Sequence, residues 1–240
     1  MKITTDTSVG EIVKANFKAA SAFQANRIDY CCGGHQSVLE ACEKAGVKSE
    51  VLIKQLEEIL QDSDPDTEYI NNLELSVLAD YIVSRHHSYV RKYIPFLTQS
   101  LQKIADVHGA NHPELTEVRD HFLASAGELT MHMQKEELVL FPYVKQLEQA
   151  KRENKSKPVS AFGSVTNPIE SMMQEHQNEG ERFELMAQLT DNYRVPEDGC
   201  TTYEVSLKQL ADFEKDLHRH IHLENNILFV KAKELEESFG

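Results

Sequence analysis

The sequence predicts an all-α fold, a four-helix bundle preceded by a small helical N-terminal domain. Three observations carry this expectation. Alternating strand patterns are nearly absent from the 240 residues, whereas apolar residues recur at helical spacing along most of the chain. Four of these patterns are long and amphipathic, which favours a bundle. Two of the four share a motif, His-x-x-x-Glu, formed by His132 with Glu136 and His220 with Glu224. On a helix this spacing stacks an imidazole and a carboxylate on one face. A Leu-Phe pair follows at the same offset in both copies, Leu140-Phe141 and Leu228-Phe229. One such motif is weak evidence; two in matching apolar surroundings point to a repeated unit.

Residues 1–62 read as the N-terminal domain. Val9, Ile12, Val13, Phe17 and Phe23 form one helical stripe, which the run Ile28 to Gly34, IDYCCGG, interrupts. Two further short helices follow, split at Gly46, with Ser49 as the expected N-cap of the second. So small a unit has little core of its own and should lean on the rest of the chain. Residues 63–70, polar and holding Pro65, read as a linker.

Residues 71–240 supply the four long helices. The first should open with Asn71 and Glu74 as a capping box and kink at Pro95. The second starts near Pro113, a good first-turn residue, and carries Leu115, Val118, Phe122, Leu129, His132, Glu136, Leu140, Tyr143 and Leu147. A Lys- and Ser-rich loop follows. The third opens with Asn167, Pro168 and Glu170 and includes His176 on its inner face. The fourth opens at Thr201 and carries Leu207, Leu210, Phe213, Leu217, His220, Glu224, Ile227 and Leu228.

Composition narrows the function. The net charge of −14 argues against nucleic acid or an anionic membrane as partner. No apolar run approaches the roughly 20 residues of a membrane span. The N-terminus lacks a signal-peptide pattern. The four cysteines, at 31, 32, 42 and 200, have neither disulfide-framework nor zinc-ribbon spacing, and a reducing cytoplasm is the expected compartment.

The first helix adds His86 and His87, and the third adds His176. His87 precedes His132 by 45 residues and His176 precedes His220 by 44, so the four helices read as two copies of one pair. The repeat spacing selects His87, with His86 as the alternative. Together His87, His132, Glu136, His176, His220 and Glu224 bring four imidazoles and two carboxylates to one level of the core. Buried carboxylates on apolar stripes need a cation. Imidazole suits zinc, iron, copper and nickel, and carboxylates can bridge two metals. Six ligands suit a pair. If both carboxylates bridge, each metal has two imidazoles and two oxygens, and an oxo or hydroxo bridge leaves a position open. That favours a redox-active non-haem di-iron centre, two irons per chain, over closed structural zinc. His108 lies 21 residues past His87, about 31 Å away along a continuous helix at about 1.5 Å per residue, and is excluded on that ground. Histidines 35, 112, 121, 218 and 222 read as surface or supporting residues.

The motifs SRHH, HMQKEELVLFPYVK, QEHQNEG and RHIHLENNILF, with DYCCGG upstream, resemble the repair-of-iron-centres family, the YtfE/ScdA type with a hemerythrin-like domain. The resemblance spans essentially the whole chain. It implies a cytoplasmic di-iron protein that restores iron–sulfur clusters damaged by nitric oxide or oxidants, with damaged iron–sulfur proteins as clients. The family's ligands carry over to His87, His132, Glu136, His176, His220 and Glu224. The family also has a histidine at His108, against the distance argument. Iron donation is the favoured activity. Reduction of nitric oxide, or oxygen binding and sensing, would use the same ligands, and a homodimer is compatible with all three. Cys31 and Cys32 have two readings. In one they are packing residues. In the other Gly33 and Gly34 expose them as a relay for iron or nitric oxide, since thiolate is a soft iron ligand.

Overall fold

The computed structural model describes residues 1–239. Among them no β-strand forms; an isolated antiparallel bridge joins Ser8 and Ser37. The protein is all-α, a four-helix bundle preceded by short helices. The chain divides into two compact units. The first comprises Met1–Ala79, Val144–Val159 and Arg219–Gly240, and the second Asp80–Tyr143 and Ser160–His218. Among the described residues no helix is long and apolar enough to cross a membrane.

The short helices lie in the first unit. They are α1 (Val9–Ala15), α2 (Ala20–Ala25), α3 (Val38–Ala45), α4 (Ser49–Ile59) and α5 (Pro65–Asn71). Local capping explains several ends. The Ser8 hydroxyl accepts from the Glu11 amide at the start of α1. Ser37 and Glu40 form a reciprocal capping box at the start of α3. Gly46, at φ 69°, ends α3 in the left-handed conformation that glycine adopts without penalty. Ser49 is the first residue of α4 rather than its cap, which is Lys48.

A linker was expected at 63–70, but the structure has a helix from Pro65. Proline suits the first helical position, and Asp66 and Glu68 complement the helix dipole. The segment is also stitched to α1 and the turn after it. Asn16 donates to the Asp62 carbonyl at 2.8 Å, the Phe17 amide to Thr67 Oγ1 at 2.9 Å, and Asn71 Nδ2 to the Lys14 carbonyl at 2.7 Å.

Four long helical runs make the bundle. The first joins α6 (Leu75–Ile82) to α7 (Ser88–His108) through a π-helical turn, Val83–His87. The second joins α8 (Glu114–Lys135) to α9 (Phe141–Arg152) through Glu136–Leu140. The third is α10 (Thr166–Leu189), and the fourth joins α11 (Thr201–Leu223) to α12 (Phe229–Glu237) through Glu224–Leu228. The expected Asn71–Glu74 capping box is absent, because Asn71 still belongs to α5. A distant carboxylate does the work: Glu148, on α9, accepts from the Leu75 amide at 2.6 Å and the Ser76 amide at 3.1 Å. Asn167 likewise lies inside α10, and its side-chain amide donates to the Phe162 carbonyl at 2.8 Å. In the second unit Phe122, Phe183 and Phe213 are buried and meet ring to ring. Phe213 stacks on Phe183 with centroids 5.7 Å apart and meets the Phe122 edge at 5.6 Å. Such aromatic contacts fix the spacing of α8, α10 and α11.

Glu148→Ala should destabilise the protein by about 1 kcal/mol, the usual cost of losing an N-terminal cap. The urea midpoint should fall with the slope unchanged. An unchanged midpoint would mean that water caps α6 as well as Glu148 does.

Candidate metal centre

The π-helical turns coincide with the candidate ligands. In each, an amide bonds the carbonyl five residues back: Ser88 to Val83, Phe141 to Glu136, and Phe229 to Glu224. His87 ends the first turn, Glu136 opens the second and Glu224 opens the third. The wider turn adds a residue to the helix, and such insertions concentrate at functional sites. The Leu-Phe pairs noted in the sequence close the second and third turns.

All six candidates are buried, and Glu136 and Glu224 have no exposed surface at all. The Glu136 carboxylate lies between two imidazoles, with Oε2 at 3.3 Å from His87 Nε2 and Oε1 at 3.3 Å from His132 Nε2. His132 Nε2 is 3.0 Å from His176 Nε2, and His220 Nε2 is 2.9 Å from Glu224 Oε1. Donor atoms of His87, Glu136, His220 and Glu224 lie within 4.8 Å of one another, and so do those of His132, Glu136, His176 and Glu224. The two carboxylates belong to both groups.

Two further carboxylates orient the rings. Glu137 Oε1 is 2.6 Å from His87 Nδ1, and Glu175 Oε2 is 2.9 Å from His132 Nδ1. Arg91 binds Glu137 at 2.6 Å, and Lys135 binds Glu175. Burial opposes ionisation of Glu137, yet the bonds from His87 and Arg91 hold its carboxyl below the usual range. The bond from His132, assisted by Lys135 against partial burial, brings Glu175 down to about 2. An ionised carboxylate can only accept, so each ring carries its proton on Nδ1 and turns Nε2 inward. Inward Nε2 lone pairs facing carboxylate oxygens repel unless a proton or a cation lies between them. The donor set therefore fits a metal, and imidazole with carboxylate is the ligation of zinc or iron.

The remaining histidines separate clearly. His86 is buried too, but its Nδ1 meets Asp216 at 3.1 Å, and it is in neither ligand group. His108 ends the unbroken α7, where its Nε2 lies 3.2 Å from Cys200 Sγ. His222, expected at the surface or in support, is 1% exposed and packs between Phe17 and Tyr30. Burial, with Arg219 and Lys14 nearby, brings its pKa down to about 3, so the ring is neutral and its Nδ1 accepts from the Asn226 amide.

Cys31 and Cys32 are not exposed by the glycines beside them; they are 3% and 9% accessible. Glycine is needed here for close approach. A Cβ on Gly34 or on Gly10 would stand 2.8 Å from Asn226 Oδ1. Asn225 and Asn226, directly after Glu224, donate to the Cys31 carbonyl at 3.3 and 3.5 Å. The thiol loop thus sits on the helix that carries a candidate ligand. Cys32 as hydrogen-bond partner, burial, and the charges of Cys32 and Asp29 push the Cys31 thiol well above its ordinary range.

Sequence reasoning missed Glu137 and Glu175, whose signal was only their adjacency to Glu136 and His176. It also missed Glu179, three residues after His176. Glu179 is 3% exposed, is bound by Ser125 and Arg182, and its pKa is raised by burial.

The hemerythrin HHE cation binding domain family matches residues 78–232, and a domain of unknown function (DUF542) matches residues 5–60. The chain is similar to the iron-sulfur cluster repair protein ScdA of Staphylococcus haemolyticus, 32% identical over 95% of this chain and 99% of that one. It is 30% identical to ScdA of Staphylococcus epidermidis RP62A over 96% and 99%. It is 33% identical to the iron-sulfur cluster repair protein YtfE of Yersinia pseudotuberculosis over 94% and 96%.

Glu175→Gln should leave the fold intact and weaken metal binding roughly 10–100-fold, as loss of an outer-shell partner does. Competition with a chelator measures it, and unchanged affinity would remove Glu175 from the site. The thiols should also differ in reactivity. Amides of Tyr203 and Thr202, with His108, hold Cys200 at about 7, so its alkylation should rise through neutral pH. Cys31 should stay unlabelled until the pH is well above 9.0. Equal labelling at neutral pH would show that the loop opens in solution.

Proposed function

Because the chain belongs to the hemerythrin HHE cation binding domain family, among the ScdA- and YtfE-type iron-sulfur cluster repair proteins, we propose that it repairs iron–sulfur clusters damaged by nitrosative or oxidative stress. Its working group in this reading is a non-haem di-iron centre, and its clients are damaged iron–sulfur proteins. The observation that carries the reading is the pair of four-residue ligand groups sharing Glu136 and Glu224. One set of four donors would serve one ion; two sets with common carboxylates suit two.

His87 and His220 would hold one iron, His132 and His176 the other, with Glu136 and Glu224 common to both. When bound, the pair supplies redox activity and a store of ferrous iron for transfer. The chain's own residues keep that store available. Glu137 and Glu175 fix the ring tautomers, so ligand loss does not await a proton shift. Burial of the six side chains keeps bulk water from competing for the donors. The DUF542 segment favours repair over simple oxygen carriage, because an oxygen carrier needs only the bundle. The proposed compartment is the cytoplasm, whose reducing conditions suit the free thiols of Cys31 and Cys32.

The test adds iron-loaded protein to a cluster enzyme inactivated by nitric oxide, under anaerobic conditions. Wild type should restore activity; His132→Leu should fail. Glu136→Leu and Glu224→Leu should lose the spin-coupled iron pair in Mössbauer spectra while staying helical, and His108→Ala should keep it. Equal restoration by His132→Leu, or by free ferrous iron at the same concentration, would contradict the proposal.

A further inference from the structure

We propose that Asp29, Cys31 and Cys32 form a second metal site, in which two thiolates and one carboxylate bind a single thiophilic divalent transition-metal ion. This site is independent of the ligand assignment in the bundle. The donor atoms of the three residues lie within 4.8 Å of one another. Cys31 Sγ and Cys32 Sγ are 3.9 Å apart. Two sulfurs each about 2.3 Å from a tetrahedral ion are separated by about 3.8 Å, so the thiols already stand at ligand spacing. Cys31 Sγ is 3.2 Å from Asp29 Oδ1, so the carboxylate stands directly against the thiols.

The loop is built to hold this spacing. The Asp29 carboxylate accepts the Cys31, Cys32 and Gly33 amides at 2.9, 3.0 and 2.8 Å. Oδ1 takes the Cys31 and Cys32 amides and Oδ2 only the Gly33 amide, so the acceptor site that remains for a cation is on Oδ2. From the other side, Asn225 and Asn226 hold the Cys31 carbonyl, and Asn226 holds the Tyr30 carbonyl. Gly34 meets Asn226 where any side chain would collide.

The electrostatics favour a cation as well. Two thiols and a carboxylate share one spot, and among the described residues no ion pair reaches Asp29. The hydrogen bond with Cys32, burial, and the charges of Cys32 and Asp29 keep the Cys31 thiol protonated. Binding a divalent ion releases both protons to solvent, and two S–H bonds are replaced by two metal–sulfur bonds with no change of oxidation state. Three protein ligands leave the fourth position open, as in sites that exchange ligands. Asp29 is exposed while both cysteines are buried, so the group is reached from the carboxylate side. A client thiol or water can complete it. Soft thiolate with one carboxylate suits ferrous iron or zinc over magnesium or calcium.

Cobalt(II) is the probe, added anaerobically to full-length protein carrying Glu136→Leu and Glu224→Leu so that the bundle groups are disabled. One equivalent should give a thiolate-to-cobalt charge-transfer band with tetrahedral d–d intensity and release two protons. The band should vanish in Cys31→Ser/Cys32→Ser, and zinc or ferrous iron should displace the cobalt. Removing even an outer-shell partner costs roughly 10–100-fold, so Asp29→Ala should cost at least about tenfold in cobalt affinity. X-ray absorption on cobalt-loaded protein with both cysteines intact should show two sulfur neighbours at about 2.3 Å, a readout that does not depend on the cysteine variants folding. Absence of the band at stoichiometric cobalt, a band unchanged in Cys31→Ser/Cys32→Ser, or only nitrogen and oxygen neighbours would overturn the site. Because the bundle ligands are already disabled, none of these outcomes bears on the di-iron reading.

Discussion

Glu136 and Glu224 are carboxylates with no exposed surface, and the requirement to neutralise them shapes what surrounds them. Leaving one buried charge without a partner costs about 3–5 kcal/mol, a large part of the 5–15 kcal/mol by which a domain is stable. Imidazoles line the carboxylates, with His87 and His132 facing the two oxygens of Glu136 and His220 facing Glu224, and a cation between the inward nitrogens and oxygens meets the requirement. Glu137 and Glu175 in turn hold the His87 and His132 rings, and Arg91 and Lys135 hold those carboxylates. The polar contacts thus run outward from carboxylate to imidazole to carboxylate to surface cation. A structural buried ion pair would need only one imidazole per carboxylate. The surplus of inward nitrogens is what distinguishes a metal-binding arrangement from a packing device.

The π-helical turns are the backbone counterpart of this constraint. Each places its wider turn at a candidate ligand, and in the fourth run the turn also presents Asn225 and Asn226 to the N-terminal loop. One local departure from α-helical geometry therefore serves two purposes. It aims Glu224 inward and anchors the segment carrying Cys31 and Cys32. The anchoring explains why Gly10 and Gly34 are small.

Much of this was legible in the chain. Four long runs of helical periodicity gave the bundle, and the doubled His-x-x-x-Glu with its Leu-Phe pairs marked His132, Glu136, His220 and Glu224 as candidate ligands. The repeat spacing separated His87 from His86, which the structure places against Asp216. What escaped depends on contacts between distant residues. Glu148 caps α6 from 73 residues away, so no local pattern could show it. The π-helical turns leave the composition of a helix unchanged and show in sequence only as a one-residue slip of the apolar stripe. The glycines of DYCCGG suggested mobility because their neighbour Asn226 lies almost two hundred residues on. His222 reads in the sequence as a surface or supporting residue because Phe17 and Tyr30, which cover it, lie about two hundred residues away.

The central claim is that Glu136 and Glu224 are shared between two metal ions. Diffraction from iron-loaded crystals, measured on both sides of the iron absorption edge, tests it most directly. The anomalous map should show two iron peaks. One should lie among His87, Glu136, His220 and Glu224, the other among His132, Glu136, His176 and Glu224, with both carboxylates touching both. A single peak, or two peaks with either carboxylate bound to one ion alone, would contradict the account.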